Sequence, residues 1–226
     1  MNNMMEEALA RAGVPQIDIP RTAFYAGLPE NNVTNPQDLI FEHGYCYRGF
    51  RNFPPYLRGF DIAKSKKVLL IRDPRDMLVS YYFSMAQSHF VPNAGVVREH
   101  LLRQRAAAAA VDVNDYCISK IDYFKEEFRG YTSILGQQIR VFRYEDVIFR
   151  KAEWLAEMLL YFDVELADNE IQRIAKANDI RPERERPGDH IRQVTPGNFR
   201  KHLTKETIER LNNAYSEELA AYHYEK

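Results

Sequence analysis

The sequence contains few cysteines and almost no net charge. Its two cysteines, Cys46 and Cys117, lie far apart and match no metal-binding spacing. So low a cysteine content is typical of proteins from reducing compartments, although a disulfide between the two stays open at this point. The 31 basic and 32 acidic side chains give a formal charge of −1, which excludes a general electrostatic attraction to nucleic acids or anionic membranes. An anion site in this chain must therefore be local.

Long apolar runs are also missing from the sequence. None approaches the about 20 residues that a membrane-spanning helix requires, and the amino-terminal stretch MNNMMEEALARAG lacks the regions of a signal peptide. The composition, 45% hydrophobic and 28% charged, is typical of a soluble globular protein. We therefore expect a cytoplasmic protein that folds as a single domain over residues 1–226, without nucleic-acid or membrane partners. Its oligomeric state is open.

The hydrophobic pattern alternates between strands and helices. Short apolar or alternating runs predict strands at residues 45–50, 67–71 and 138–144. Helical spacing predicts helices at residues 4–12, 74–88, 96–110, 112–131, 151–162, 168–177 and 205–222. Residues 15–36 and 181–200 are rich in turn-forming residues or arginine and predict irregular segments. Strands that alternate with helices predict an α/β fold with a mostly parallel sheet.

The segment at residues 67–85, KKVLLIRDPRDMLVSYYFS, joins a strand to a helix. Arg72 follows the predicted strand, at the end where parallel sheets bind their ligands. Asp73 is placed to cap the helix that Pro74 opens, and Ser80 lies on one face of that helix. A guanidinium and a hydroxyl beside a capped turn predict an anion site.

The same pattern also has a purely structural interpretation. In that interpretation, Arg72 and Arg75 only form ion pairs with Asp73 and Asp76. The full string R-D-P-R-D-x-x-x-S-Y-Y favours a functional interpretation. It resembles the 3′-phosphate-binding segment of the sulfotransferases that use 3′-phosphoadenosine 5′-phosphosulfate (PAPS).

This resemblance implies a fold, a co-substrate and a reaction. The fold would have three α/β/α layers around a mostly parallel central sheet. PAPS would be the co-substrate, no metal ion would be needed, and Arg72 and Ser80 would hold the 3′-phosphate. The sulfuryl group would pass to a hydroxyl or amine of a small-molecule acceptor, whose identity the sequence leaves open.

The segment FRYEDV at residues 142–147 resembles the same family. It follows the last predicted strand, and the resemblance places Tyr144 near the adenine ring. An aromatic face and a hydroxyl both suit that position. In the structural interpretation, Glu145 and Asp146 are simply solvated or capping carboxylates.

The segment HIRQVTPGNFRKHLT at residues 190–204 resembles the late cofactor loop of the family. The resemblance implies that Arg192 reaches the same 3′-phosphate as Arg72 and that Gln193 and Val194 border the nucleotide. Two departures stand out. Gln193 replaces a basic residue, and Val194 replaces a glycine, so that a side chain opposes close approach of the phosphate to the backbone.

The general base is not evident in the sequence. Residues 51–54, RNFP, stand where the family has Thr-His-Leu-Pro with a catalytic histidine, and Asn52 cannot accept a proton at neutral pH. His43 is the weak candidate for a substitute, and Glu42 is a second one. A lone histidine in a loop is more often a simple surface residue.

The glycine-rich loop that holds the 5′-phosphosulfate in the family is absent from the sequence. Its place, and that of the first strand, falls before Met1. One hypothesis is that the chain begins at an internal methionine of a longer sulfotransferase. The alternative is a truncated, non-catalytic module that binds 3′,5′-phosphoadenosine. A kinase relative is disfavoured, because no Walker loop occurs.

Overall fold

The computed structural model describes residues 1–30, 35–182 and 193–225. Its helices are α1 (Asn2–Arg11), α2 (Ile19–Tyr25), α3 (Pro74–Phe83), α4 (Val96–Ala109), α5 (Val113–Ser119), α6 (Ile121–Thr132), α7 (Tyr144–Val147), α8 (Lys151–Tyr161), α9 (Asp168–Ala177), α10 (Phe199–His202), α11 (Lys205–Ala214) and α12 (Ser216–Ala221). Its strands are β1 (Gln16–Ile17), β2 (Cys46–Tyr47), β3 (Lys67–Ile71) and β4 (Ile139–Arg143). A π-helical turn at Ser84–Ser88 extends α3.

All four of these strands pair in parallel. β3 and β4 are joined along their whole length, from Lys67 opposite Ile139 to Ile71 opposite Arg143. β1 pairs with β2. In the described ranges the strands form two separate pairs rather than one continuous sheet. The predicted α/β class with parallel strands is confirmed.

The β3–β4 pair lies between two helical layers. Leu69 and Ile71 of β3 pack into a core built by α3, α5, α6, α11 and α12. Val68 and Leu70 point the other way, into a core built by α1, α8 and α9. Successive side chains of a strand alternate between its faces, so a strand that is apolar on both faces requires a helical layer on each side.

The prediction of an irregular segment at residues 15–36 is wrong in part. The segment contains β1 and α2, and the carboxylate of Asp18 caps α2 by accepting a hydrogen bond from the Arg21 amide. The strand predicted at 45–50 is only the short β2, and its described partner is β1. A pairing between segments about thirty residues apart leaves no local pattern in the sequence.

Two predicted helices are each broken into two. The helix predicted at 112–131 is α5 followed by α6, which meet at Lys120. The helix predicted at 205–222 is α11 followed by α12, with a break at Tyr215. Tyr215 is fully buried, and its hydroxyl donates a hydrogen bond to the Ile121 carbonyl. The break therefore follows from a tertiary contact.

Both cysteines are free thiols. Cys117 is completely buried, and this burial raises the pKa of its thiol to about 12. Burial also raises the pKa of Cys46. Among the described helices, none is long and apolar enough to cross a bilayer.

Candidate functional site

The site is built where β3 and β4 end. Because the two strands are parallel and Ile71 lies opposite Arg143, the next residues, Arg72 and Tyr144, come together at one edge. The guanidinium carbon of Arg72 lies 4.7 Å from the centre of the Tyr144 ring. Burial raises the pKa of the Tyr144 phenol, and the charge of Arg72 lowers it in part. The phenol is therefore neutral near pH 7 and can donate a hydrogen bond.

An ion pair between Asp73 and Arg75 stabilises the start of α3. The Asp73 carboxylate accepts a hydrogen bond from the Arg75 amide, which caps the helix as predicted. The Arg75 guanidinium donates two further hydrogen bonds to Asp73, of 2.9 and 2.6 Å. It also donates to the Asn212 side chain and the Glu225 carbonyl, and it stacks on Phe199. The structural interpretation of the sequence thus holds for this pair.

Asp76 plays a part that the sequence did not predict. Its side chain is fully buried, one turn before Ser80 on α3. One carboxylate oxygen accepts a hydrogen bond of 2.7 Å from the Gly197 amide, and the other accepts one of 2.8 Å from the Phe199 amide. Asp76 therefore ties α3 to Gly197 and to the first residue of α10.

A second contact brings the same part of the chain to the strand ends. The Tyr144 hydroxyl donates a hydrogen bond of 3.2 Å to the Val194 carbonyl. Gln193 is half-buried beside it. The Val194 carbonyl is thus brought to Tyr144 and Arg72, with Gln193 next to it in the chain, whereas Arg192 lies outside the described residues.

The Arg72 guanidinium retains an unmet hydrogen-bond donor. Its side chain is only 19% exposed, and its Nε is buried without a hydrogen-bond partner in the described ranges. A buried guanidinium N–H without a partner costs free energy that an oxyanion would recover. The half-buried Ser80 lies on the same helix as Asp76 and can add a hydroxyl donor. In the described part of the chain, no three His, Cys, Asp or Glu side chains are grouped to bind a metal ion.

Glu145 anchors the two strand ends to each other and to the end of the chain. One of its oxygens accepts a hydrogen bond of 3.0 Å from the Asp73 amide, and the other accepts one of 2.7 Å from the Tyr224 hydroxyl. Burial raises the pKa of Tyr224, so its hydroxyl remains a donor. Asp146 forms an ion pair with Arg143 at 2.7 Å. Neither carboxylate is merely solvated.

His43 lies apart from this cluster. Its side chain is 93% exposed in the loop before β2, and its acidic neighbour Glu42 is 4.0 Å away. The segment that follows β2 docks on α6 instead: Asn52 donates a hydrogen bond to Tyr123, and the Phe53 amide donates one to Glu127. Burial raises the pKa of the Glu127 carboxyl.

A cleft of about 540 Å³ lies beside β4 and does not include the site residues. It is lined by Val141, Phe142 and Trp154, with a charged rim. Four of its charged side chains form ion pairs with each other, Arg143 with Asp146 and Arg150 with Glu153. The indole Nε1 of Trp154 in its lining is, like the Arg72 Nε, a buried donor without a hydrogen-bond partner in the described ranges, but the cleft shares no residue with the Arg72 cluster.

Comparison with known proteins gives one match at the level of families. A family model described as the sulfotransferase domain matches residues 58–223. No curated protein matches the chain.

Solved structures that match include a retinol dehydratase in complex with androsterone and the inactive cofactor PAP. It is 14% identical with a TM-score of 0.46, and the match covers 92% of this chain and 67% of that one. A mouse sulfotransferase, SULT7A1, complexed with PAP, is 11% identical with a TM-score of 0.45, over 96% of this chain and 90% of that one. Similarity this low adds no detail about the site.

Proposed function

This chain belongs to the sulfotransferase domain family, and from that premise we propose that it transfers a sulfuryl group from PAPS to a small-molecule acceptor. A sulfotransferase-type function follows from the family; the donor and the acceptor class are the proposal. The observation that supports it best is the unmet Nε–H of Arg72, at the carboxyl ends of two parallel strands. That is the place where such sheets bind nucleotides.

Each site residue has a role in this proposal. Arg72 and Ser80 bind the 3′-phosphate, with Arg192 as the second guanidinium. A planar guanidinium offers paired donors that match phosphate oxygens. Tyr144 lies beside the adenine, and Gln193 and Val194 border the nucleotide.

The reaction is an in-line displacement at sulfur. The acceptor oxygen or nitrogen forms a bond to sulfur while the bond from sulfur to the 5′-phosphate oxygen breaks. The acceptor gives its proton to a base that is unassigned; His43, the weak candidate from the sequence, is 93% exposed and lies apart from the strand ends. The products are the sulfated acceptor and PAP. By analogy with phosphoryl transfer, the protein contributes positioning and charge stabilisation of the leaving group.

The nucleotide site is tested by PAP binding, measured by isothermal titration calorimetry. We expect the wild-type chain to bind PAP and the Arg72→Ala variant to bind it about tenfold or more weakly, because a charged hydrogen bond is lost. Arg140→Ala is a matched control, since Arg140 also stacks on a tyrosine ring, at 5.3 Å from Tyr161. Equal weakening by both variants would contradict the proposal.

The alternative is a module that binds PAP without transferring sulfate. The two functions differ in one measurement. Transfer of labelled sulfate from PAPS to a panel of phenols, alcohols and amines supports the enzyme. Tight PAP binding without any transfer supports the module.

A further inference from the structure

The string R-D-P-R-D contains two arginine–aspartate pairs with different geometry. Arg75 and Asp73 are held by hydrogen bonds of 2.9 and 2.6 Å. Arg72 and Asp76 approach only to 3.5 Å. Both pairs are largely buried, so burial does not explain the difference.

The difference follows from what else binds each carboxylate. Both oxygens of Asp76 already accept short hydrogen bonds, from the amides of Gly197 and Phe199. Asp73 accepts one amide hydrogen bond, from Arg75 in its own turn, and both of its oxygens accept from the Arg75 guanidinium. Asp76 therefore attracts Arg72 electrostatically but forms no short hydrogen bond with it. The Arg72 Nε–H has no partner in the described ranges.

The amides that bind Asp76 belong to the segment that Tyr144 also holds. The Tyr144 hydroxyl binds the carbonyl of Val194, and Asp76 binds residues 197 and 199. The segment is thus fixed at two points, by two side chains that each lie next to the Arg72 guanidinium. Gly197 allows the turn between them, because its φ of +79° lies in the left-handed region that favours glycine.

We propose that Asp76 is a positioning residue of the nucleotide site: it fixes the 193–199 segment against α3 and holds Arg72 ready for the 3′-phosphate. This inference rests on the proposed function. Its charge sets it apart from a direct phosphate ligand, because a carboxylate repels phosphate. Asp76 serves the site only through the groups that it holds in place.

The proposal predicts a result opposite to simple electrostatics. Asp76→Asn removes a negative charge next to an anion site, which by itself would tighten phosphate binding. It also replaces one acceptor oxygen by an NH₂ group that faces a backbone N–H, which releases one tether of the segment. We expect the loss of positioning to outweigh the loss of repulsion.

The experiment compares the affinities for PAP and for adenosine 5′-monophosphate, which lacks the 3′-phosphate. The preference is the ratio of the affinity for PAP to the affinity for the monophosphate. We expect Asp76→Asn to lower this preference about tenfold, while the affinity for the monophosphate stays nearly unchanged. A general loss of structure would weaken both nucleotides alike. Asp146→Asn is the matched control, a carboxylate at the same sheet edge that pairs with Arg143, and it should leave the preference unchanged.

An unchanged or increased preference in Asp76→Asn would overturn the proposal, because Asp76 would then only compete with phosphate for Arg72. If Asp76→Asn does not fold, Tyr144→Phe decides. It releases the Val194 tether but keeps the ring beneath Arg72, so the preference should fall, and an unchanged preference would overturn the proposal. A wild-type chain that binds both nucleotides equally would instead refute the proposed function.

Discussion

At the scale of single residues, the hydrogen-bond partners of each charge decide its role. Arg75 is only 2% exposed, and its guanidinium is satisfied by Asp73, Asn212 and the Glu225 carbonyl. Arg72, three residues earlier, keeps an unmet donor. Arg75 therefore contributes to the fold, whereas Arg72 is the arginine that we propose for ligand binding, although both stand in the same short string.

Removal of the Arg75 side chain should strongly destabilise the protein. Arg75→Ala leaves the Asp73 carboxylate buried without its partner, which typically costs about 3–5 kcal/mol. Arg129→Ala is the control, because Arg129 forms only an exposed ion pair with Glu126 and should matter little. Urea denaturation followed by circular dichroism measures both. A loss in Arg75→Ala no larger than in the control would contradict this role.

At the scale of elements, local signals explain most of the helices. Asp73 caps α3 with its side chain, as the sequence predicted, and Thr204 caps α11 in the same way. The pairing of β1 with β2 and the docking of α2 had no such signal. α2 ends next to α4 through a close contact of backbones, in which the Gly27 carbonyl accepts a hydrogen bond from Val97.

The contact between α2 and α4 can be tested with a matched pair of glycines. Gly13 and Gly27 have the same φ of +72°, but a Cβ at Gly13 meets nothing within 4 Å, whereas one at Gly27 would lie 2.6 Å from the Ala94 carbonyl oxygen. Gly13→Ala should cost only the left-handed strain of about 1–2 kcal/mol. Gly27→Ala should cost clearly more in thermal unfolding. Equal losses would show that the close approach is not needed.

At the scale of the whole molecule, the β3–β4 pair joins two helical layers. The layers have separate cores, and the alternating side chains of β3 contribute to both. We propose that residues 1–226 form one domain, because neither core can be removed without exposing one face of the same strand pair.

The single-domain proposal predicts one cooperative unfolding transition. Leu78 and Leu155 are fully buried in the two different cores, and each change to Ala should cost about 2–5 kcal/mol. Trp154, the single tryptophan, lies in the core with Leu155. Leu78→Ala in the other core should therefore shift the tryptophan fluorescence midpoint together with the circular dichroism midpoint. Separate midpoints would indicate two independent units.

The sequence by itself determined the local elements and the chemistry available at the site. Helix caps and apolar strand runs can be recognised in the sequence because they depend on neighbouring residues. Arg72 and Tyr144 each follow a strand, and parallel strands that end at one edge bring them together. Only the tertiary structure decided which charges are free. The partners of Glu145, Asp76 and Arg75 lie 72, 121 and 150 residues away, and because such pairs form only when distant elements pack, no local pattern specifies them.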